Sequence, residues 1–147
     1  MEFFLKLEVK HPIQHIVCLL HLLEIHLKHV FIHLDKKPTG PSCYTGDIGS
    51  QLNQVEQLQP VHFKTVDAPD LPQFDANELR SDQLYLYEAF MTVKTGTIAD
   101  RFLKLDPGKL NQSRWMTLAN RILRLYICTI SPSDNLKTLV TFVMKVK

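Results

Sequence analysis

The sequence predicts a mainly α fold: a long amphipathic helix packed with a cluster of shorter helices, and at most one or two short strands. Three observations lead there. Residues 12–35 place apolar side chains at helical spacing over about six turns. Residues 81–147 break into short apolar-periodic runs separated by Gly, Pro and capping residues. Period-two alternation is confined to residues 2–10 and 61–66. A length of 147 residues suits one domain with its own core. The expected division is a strand or core remnant over 1–11, the long helix over 12–35, an irregular connection over 36–80 and a helical cluster over 81–147.

The long helix starts favourably at Pro12, where a missing N–H costs nothing. Its apolar face runs from Ile13, Ile16 and Leu20 to Leu27, Phe31 and Leu34. His15, His26, His29 and His33 gather on the opposite side with Cys18. Two readings of that stripe stand side by side. One is a solvated polar face. The other is a metal site, because histidines at i,i+3 and i,i+4 can meet, and Cys18 with His21 forms a C-x-x-H pair suited to zinc. Pro38, Gly40 and Pro41 end the helix.

After Gly49 the sequence allows one or two helical turns. The Gly46-Asp47-Ile48-Gly49 cluster lacks the spacing and the Lys-Ser or Lys-Thr pair of a phosphate loop, so it reads as turn chemistry. Residues 61–66 alternate and predict an extended segment or strand. The acidic loop that follows does not have EF-hand spacing. Ser81 is expected to cap a helix with Leu84, Tyr87, Met91 and Lys94 in one line, closed by Gly96. Thr97 is expected to cap a short helix ending near Pro107, and Ser113 a longer one over 114–130. On the latter, Trp115, Leu118, Ala119, Ile122, Leu125 and Tyr126 share a face, while Arg114, Thr117, Arg121 and Arg124 point the other way. Ser133 is expected to cap a last helix that buries Leu136, Leu139, Val140, Val143 and Met144.

A net charge of +2 gives no global attraction to nucleic acid or to an anionic membrane, so any basic surface is local. The best such patch is the arginine side of the Trp115 helix. Aromatic plus arginine is also the pairing that single-strand binders use, although Trp115 can equally be core. Cys18, Cys43 and Cys128 form no disulfide framework, which predicts a reducing, intracellular setting. Glu24, Lys28, Asp35 and the histidines argue against residues 12–35 as a membrane span. There is no G-x-S-x-G elbow and no preorganised carboxylate pair, so no catalytic residue is assigned.

Four blocks together carry a resemblance: CLLHLLEIHLKHVFIHLD, KPTGPSCYTGDIG, SDQLYLYEAF and SRWMTLANRILRLYI. In this order they resemble proteins of mobile elements with the organisation of hAT-type DNA transposases, over residues 12–147. In that family a C-x-x-H pair and a later Arg-Trp pair belong to a helical region inserted into an RNase H-like core. Cys18/His21 and Arg114-Trp115 are the matching positions. The family cleaves and transfers DNA strands with three acidic residues and two divalent metals. Nothing here occupies those acidic slots. His26 and Lys28 also depart from the family's Pro-x-Arg, and Lys36-Lys37 from its glycine turn. The resemblance therefore implies a non-catalytic piece, not an enzyme, located in the nucleus. It implies DNA-end contacts by Arg114 and Trp115, with Arg121 on the same helix face. The alternatives are a helical module that docks a protein or a second copy, and a His/Cys metal-binding helix.

Overall fold

The computed structural model describes residues 24–71, 73, 75–111 and 114–145. The fold is mainly α, and no strand occurs among the described residues. The helices are α1 (24–34), α2 (Gly49–Leu52), α3 (Ser81–Thr95), α4 (Asp100–Leu103), α5 (Trp115–Ile127) and α6 (Asp134–Lys145). Two 3-10 turns, Val55–Gln57 and Ala76–Glu78, interrupt the connection between α2 and α3. None of the helices among the described residues is long and apolar enough to cross a membrane. The segment 2–10, expected as a strand, lies outside the described residues, and so does Ser113.

The centre of the molecule is α5. Every residue from Thr117 to Ile127 is buried. Helix α3 packs along it most extensively, with α6, α2 and the first 3-10 turn on its other sides. This corrects the expectation of a solvated arginine side. Thr117, Asn120, Arg121 and Arg124 do lie off the apolar stripe, but all four are buried: Leu52, Glu56 and Leu58 of the 36–60 connection meet the two arginines, and Asn120 donates to Asp82 O and Pro107 O. A helix surrounded on all sides has no face left for water.

In α1, Leu27 and Phe31 enter the core, while His26, His29 and His33 are exposed, as the stripe predicted. In α6 all five expected residues are buried. Ser133 caps α6 by accepting the Leu136 N–H on its hydroxyl at 3.2 Å. Gly96 closes α3 in the left-handed conformation, φ 76°, and donates its N–H to Thr92 O at 2.8 Å.

Helix α3 buries a face that the sequence left open. Tyr85, Glu88, Ala89, Thr92 and Val93 point inward, whereas Leu84, Tyr87, Met91 and Lys94 are only half-buried. Apolar residues surround this helix, so spacing alone selects no side, and packing on α5 decides. Its N-cap is Arg80, not Ser81. The Arg80 N–H donates to Gln83 Oε1 at 3.0 Å, the return half of a capping box. Thr97 caps nothing either, since α4 starts after Ala99. Its Phe102 packs against Tyr85 with ring centroids 5.1 Å apart, and its Arg101 pairs with the buried Glu88.

Residues 61–66 are extended, one of the two forms expected, and pair with no neighbouring strand among the described residues. Burial alternates from Val61 to Lys64, with Val61 and Phe63 half-buried and His62 and Lys64 exposed, and breaks at Thr65, which is exposed before the half-buried Val66. The backbone partners are helix ends, however. The Val61 N–H donates to Ile127 O at 3.0 Å and the Val66 N–H to Val93 O at 3.1 Å. Both acceptors belong to the last turn of a helix, where carbonyls have no intrahelical partner.

Asp35, just past α1, explains the glycine cluster. Its Oδ1 and Oδ2 accept the N–H groups of Ile48 at 3.0 Å and Gly49 at 2.9 Å. The cluster does hold an anion, and the anion is the chain's own carboxylate. Alongside it, Tyr44 is buried edge-on against Phe31, centroids 5.4 Å apart. Burial pushes the Tyr44 phenol up from 10.0 to about 12. Burial also raises Tyr85, against the opposing charge of Arg124. The folded state thus holds these protons more tightly than the unfolded chain. Their contribution is complete below pH 10 and is lost as pH rises towards 12. Stability to denaturant should therefore drop across that window, together with the rise of tyrosinate absorbance. Ionisation of all four tyrosines near pH 10 in a protein that keeps its helical signal would contradict the burial argument.

Candidate functional site around Trp115

The arginines expected to form a DNA-facing stripe separate into two groups. Arg121 is 5% exposed. Its Nε donates to Gly108 O at 2.7 Å, and its Nη1 donates to Leu52 O at 2.6 Å and to Glu56 Oε2 at 3.0 Å. With donors spent on α2, on the first 3-10 turn and on the Gly108 loop, it has no face for a phosphate. The expected DNA contact at Arg121 is therefore withdrawn. Arg124 is equally buried, donates to Leu58 O at 3.2 Å and lies over the Phe102 ring at 5.5 Å. Both residues tie elements together from inside.

Arg114 and Trp115 behave differently. Arg114 holds the N-cap position of α5, with backbone extended at φ −130°, ψ 91°. Its side chain is exposed and makes no ion pair among the described residues. Trp115, the first residue of α5, is half-buried. The Thr117 hydroxyl donates to Arg114 O at 3.0 Å and steadies this turn. Arg114 and Trp115 open together on a cavity of about 250 Å³, whose other walls are Glu24, Arg80, Asp82, Met116 and Thr117.

Arg80 and Asp82 come from the start of α3, more than thirty positions upstream, and no local pattern marks them as neighbours of Trp115. They face each other at 3.7 Å (Arg80 Nε to Asp82 Oδ1), a loose and exposed pair. Asp82 Oδ1 also accepts the Gln83 N–H at 2.9 Å. Two guanidiniums, two carboxylates and one indole thus share a space too small for a duplex. It has the scale of one flat ring or one side chain.

On its other side Trp115 borders an apolar groove of about 240 Å³. Leu79, Leu86, Phe90 and Val143 form its walls, with Gln83 and Tyr87 at the rim. Leu71 and Tyr87 connect it to a wider, more polar recess of about 550 Å³, where Lys94 Nζ meets Asp70 Oδ1 at 2.5 Å. Lys94 holds the Asp70 carboxyl below its usual range by hydrogen bond and charge. Of the groove side chains on α3, Leu86 and Tyr87 are half-buried and Phe90 is buried.

The expected zinc pair, Cys18 and His21, lies outside the described residues. Among the described residues no three His, Cys, Asp or Glu side chains gather closely enough to hold a metal ion. Cys128 is half-buried, with Sγ 3.6 Å from Leu58 O, and burial pushes its thiol up. That is the setting of an inert thiol. Comparisons of the chain with protein-family models, curated proteins and solved structures find no match.

Proposed function

We propose that the chain is a non-catalytic, transposase-like helical module that holds one unpaired nucleotide of a DNA end in the cavity beside Trp115. A single observation carries this reading: an exposed guanidinium with no ion pair among the described residues and a half-buried indole open on one cavity sized for a single ring. Trp115 stacks on the base. Arg114 donates to the adjoining phosphate, and Arg80 adds a second cation across the space. Asp82 and Glu24 balance those cations locally, so affinity for intact duplex is low and binding depends on the unstacked base. The Arg-Trp pair is also the part of the hAT resemblance that falls on this cavity, and that reading places the protein in the nucleus. Arg121 takes no part.

Electrophoretic mobility shift with hairpin-ended and single-stranded DNA at low salt tests it. The natural chain should retard both and leave blunt duplex unshifted. Loss of the stacking platform is worth roughly 1–3 kcal/mol, so Trp115→Ala should weaken binding by about tenfold or more. Arg114→Ala should flatten the salt dependence. Absence of any shift, or a shift unchanged in the double variant, would sink the proposal.

A second reading is favoured by a separate observation, the apolar groove on the far side of Trp115. In it the chain is a helical interaction module that buries an amphipathic helix against its own surface or another's.

A further inference from the structure

Stacking on an indole accepts any base, because every base has a π-face. A choice among bases comes from hydrogen bonds to the base edge. In the Trp115 cavity the groups able to make that choice are the Asp82 carboxylate and the Arg80 guanidinium. They stand side by side at the start of α3, 3.7 Å apart.

Asp82 is held in place from two directions. The buried Asn120 of α5 donates its Nδ2 to Asp82 O at 3.2 Å, which ties the start of α3 to the helix that carries Trp115. The Gln83 N–H donates to Asp82 Oδ1 at 2.9 Å and fixes the carboxylate. Among the described residues nothing donates to Oδ2. A carboxylate only accepts and offers about four lone-pair sites, so Oδ1 keeps capacity as well. A guanidinium only donates, through a rigid fork. Adjoining, the two match a base edge that presents a pair of donors followed by a pair of acceptors.

Guanine has that edge: N2–H and N1–H, then O6 and N7. Cytosine and thymine each bring a single donor group, so part of the carboxylate stays without a partner. Adenine turns the lone pair of its N1 towards the carboxylate, which repels it. We infer that the unpaired base held beside Trp115 is guanine, with Asp82 accepting N1–H and N2–H and Arg80 donating to O6 and N7. The inference rests on the nucleotide-binding reading of this cavity and adds the choice of base. Asp82 becomes the residue that sets specificity, while Arg114 keeps the phosphate and Trp115 the ring face.

Fluorescence anisotropy of the full chain with hairpin DNAs that differ only in one unpaired base tests the choice. The guanine hairpin should bind about tenfold more tightly than those with adenine, cytosine or thymine. Hypoxanthine lacks the N2 amine and should lose most of that advantage. Asp82→Asn keeps an oxygen for the Gln83 N–H but turns an amide N–H2 towards the donors of guanine. It should bind the thymine hairpin as the natural chain does and lose the preference for guanine. Equal binding of the four hairpins, still weakened by Trp115→Ala, would overturn the choice of guanine and leave the nucleotide-binding reading standing. Tightest binding to another base, hypoxanthine as good as guanine, or a preference that survives Asp82→Asn would also overturn it. Binding of none of the hairpins would overturn both. The hypoxanthine comparison needs no variant and decides if Asp82→Asn does not fold.

Discussion

Arg121→Ala is expected to destabilise the protein by about 3 to 5 kcal/mol, the largest effect of any single polar substitution here. Among the described residues the guanidinium is the only donor to the side chain of Glu56 and, from a side chain, to Leu52 O and Gly108 O. Removing it strands the buried Leu52 carbonyl and the half-buried Gly108 carbonyl and opens a cavity beside α5. Relief from desolvating a charge offsets part of this, which is why the range stops well short of the sum of three charge-assisted bonds. Loss of Glu56 alone is a different matter. Its side chain is 47% exposed and rehydrates. Glu56→Gln should therefore cost no more than about 1 kcal/mol. Thermal unfolding of the two variants separates the roles: a drop on the order of 10 °C for Arg121→Ala against a small one for Glu56→Gln. If Arg121→Ala melts with the natural chain, the residue is not the internal tie described above. Arg121→Lys should recover only part of the loss, because a point cation cannot fork towards Gly108 and Leu52 together.

The Asp35 clamp gives the second large effect. A Cβ on Gly46 would stand 2.2 Å from Asp35 Oδ2, and one on Gly49 would stand 2.7 Å from Tyr44 Cβ. Neither approach is possible without movement. Gly46→Ala must expel the carboxylate and so remove both of its backbone hydrogen bonds, at a cost of about 2 to 4 kcal/mol. Asp35→Ala removes the same two bonds from the other partner. The two changes thus destroy one interaction, and the double variant should be far less damaged than the sum of the singles. Chemical denaturation of the four proteins of that cycle measures the coupling. Strict additivity would mean that glycine and carboxylate act independently, contrary to the geometry.

Several parts of this fold were readable from residue order, and others were not, for physical reasons. The buried residues of α6, the Gly96 closure and the exposed histidines of α1 follow from helical spacing and local capping, which act within a few positions. The inward side of α3 did not, because Leu84, Tyr85, Leu86 and Tyr87 are all apolar or aromatic and only a neighbouring helix chooses among them. The arginines of α5 misled for a related reason. A polar stripe on a helix normally means water, but here it means carbonyls supplied by Leu52, Leu58 and Gly108. Residues 61–66 alternate as a strand does, yet the backbone finds helix ends instead of a sheet. At the candidate site, Arg114 and Trp115 were visible as a pair. Arg80 and Asp82 were invisible, since nothing local joins the start of α3 to the start of α5.

The covering of α5 also bears on how fast this molecule reaches its final form. Most helical proteins gain speed from contacts between residues close in sequence. Here the bonds that enclose the central helix join residues far apart: 69 positions for Arg121 to Leu52, 66 for Arg124 to Leu58 and 62 for Tyr126 to Lys64. Closing loops of that size loses chain entropy before any of these bonds can form. Until then α5 is a helix with two cations and an asparagine on one flank and leucines on the other, correctly formed but half wrapped. The folding barrier should lie at that wrapping step, nearer in character to a protein built from long-range pairings than to a simple helical bundle.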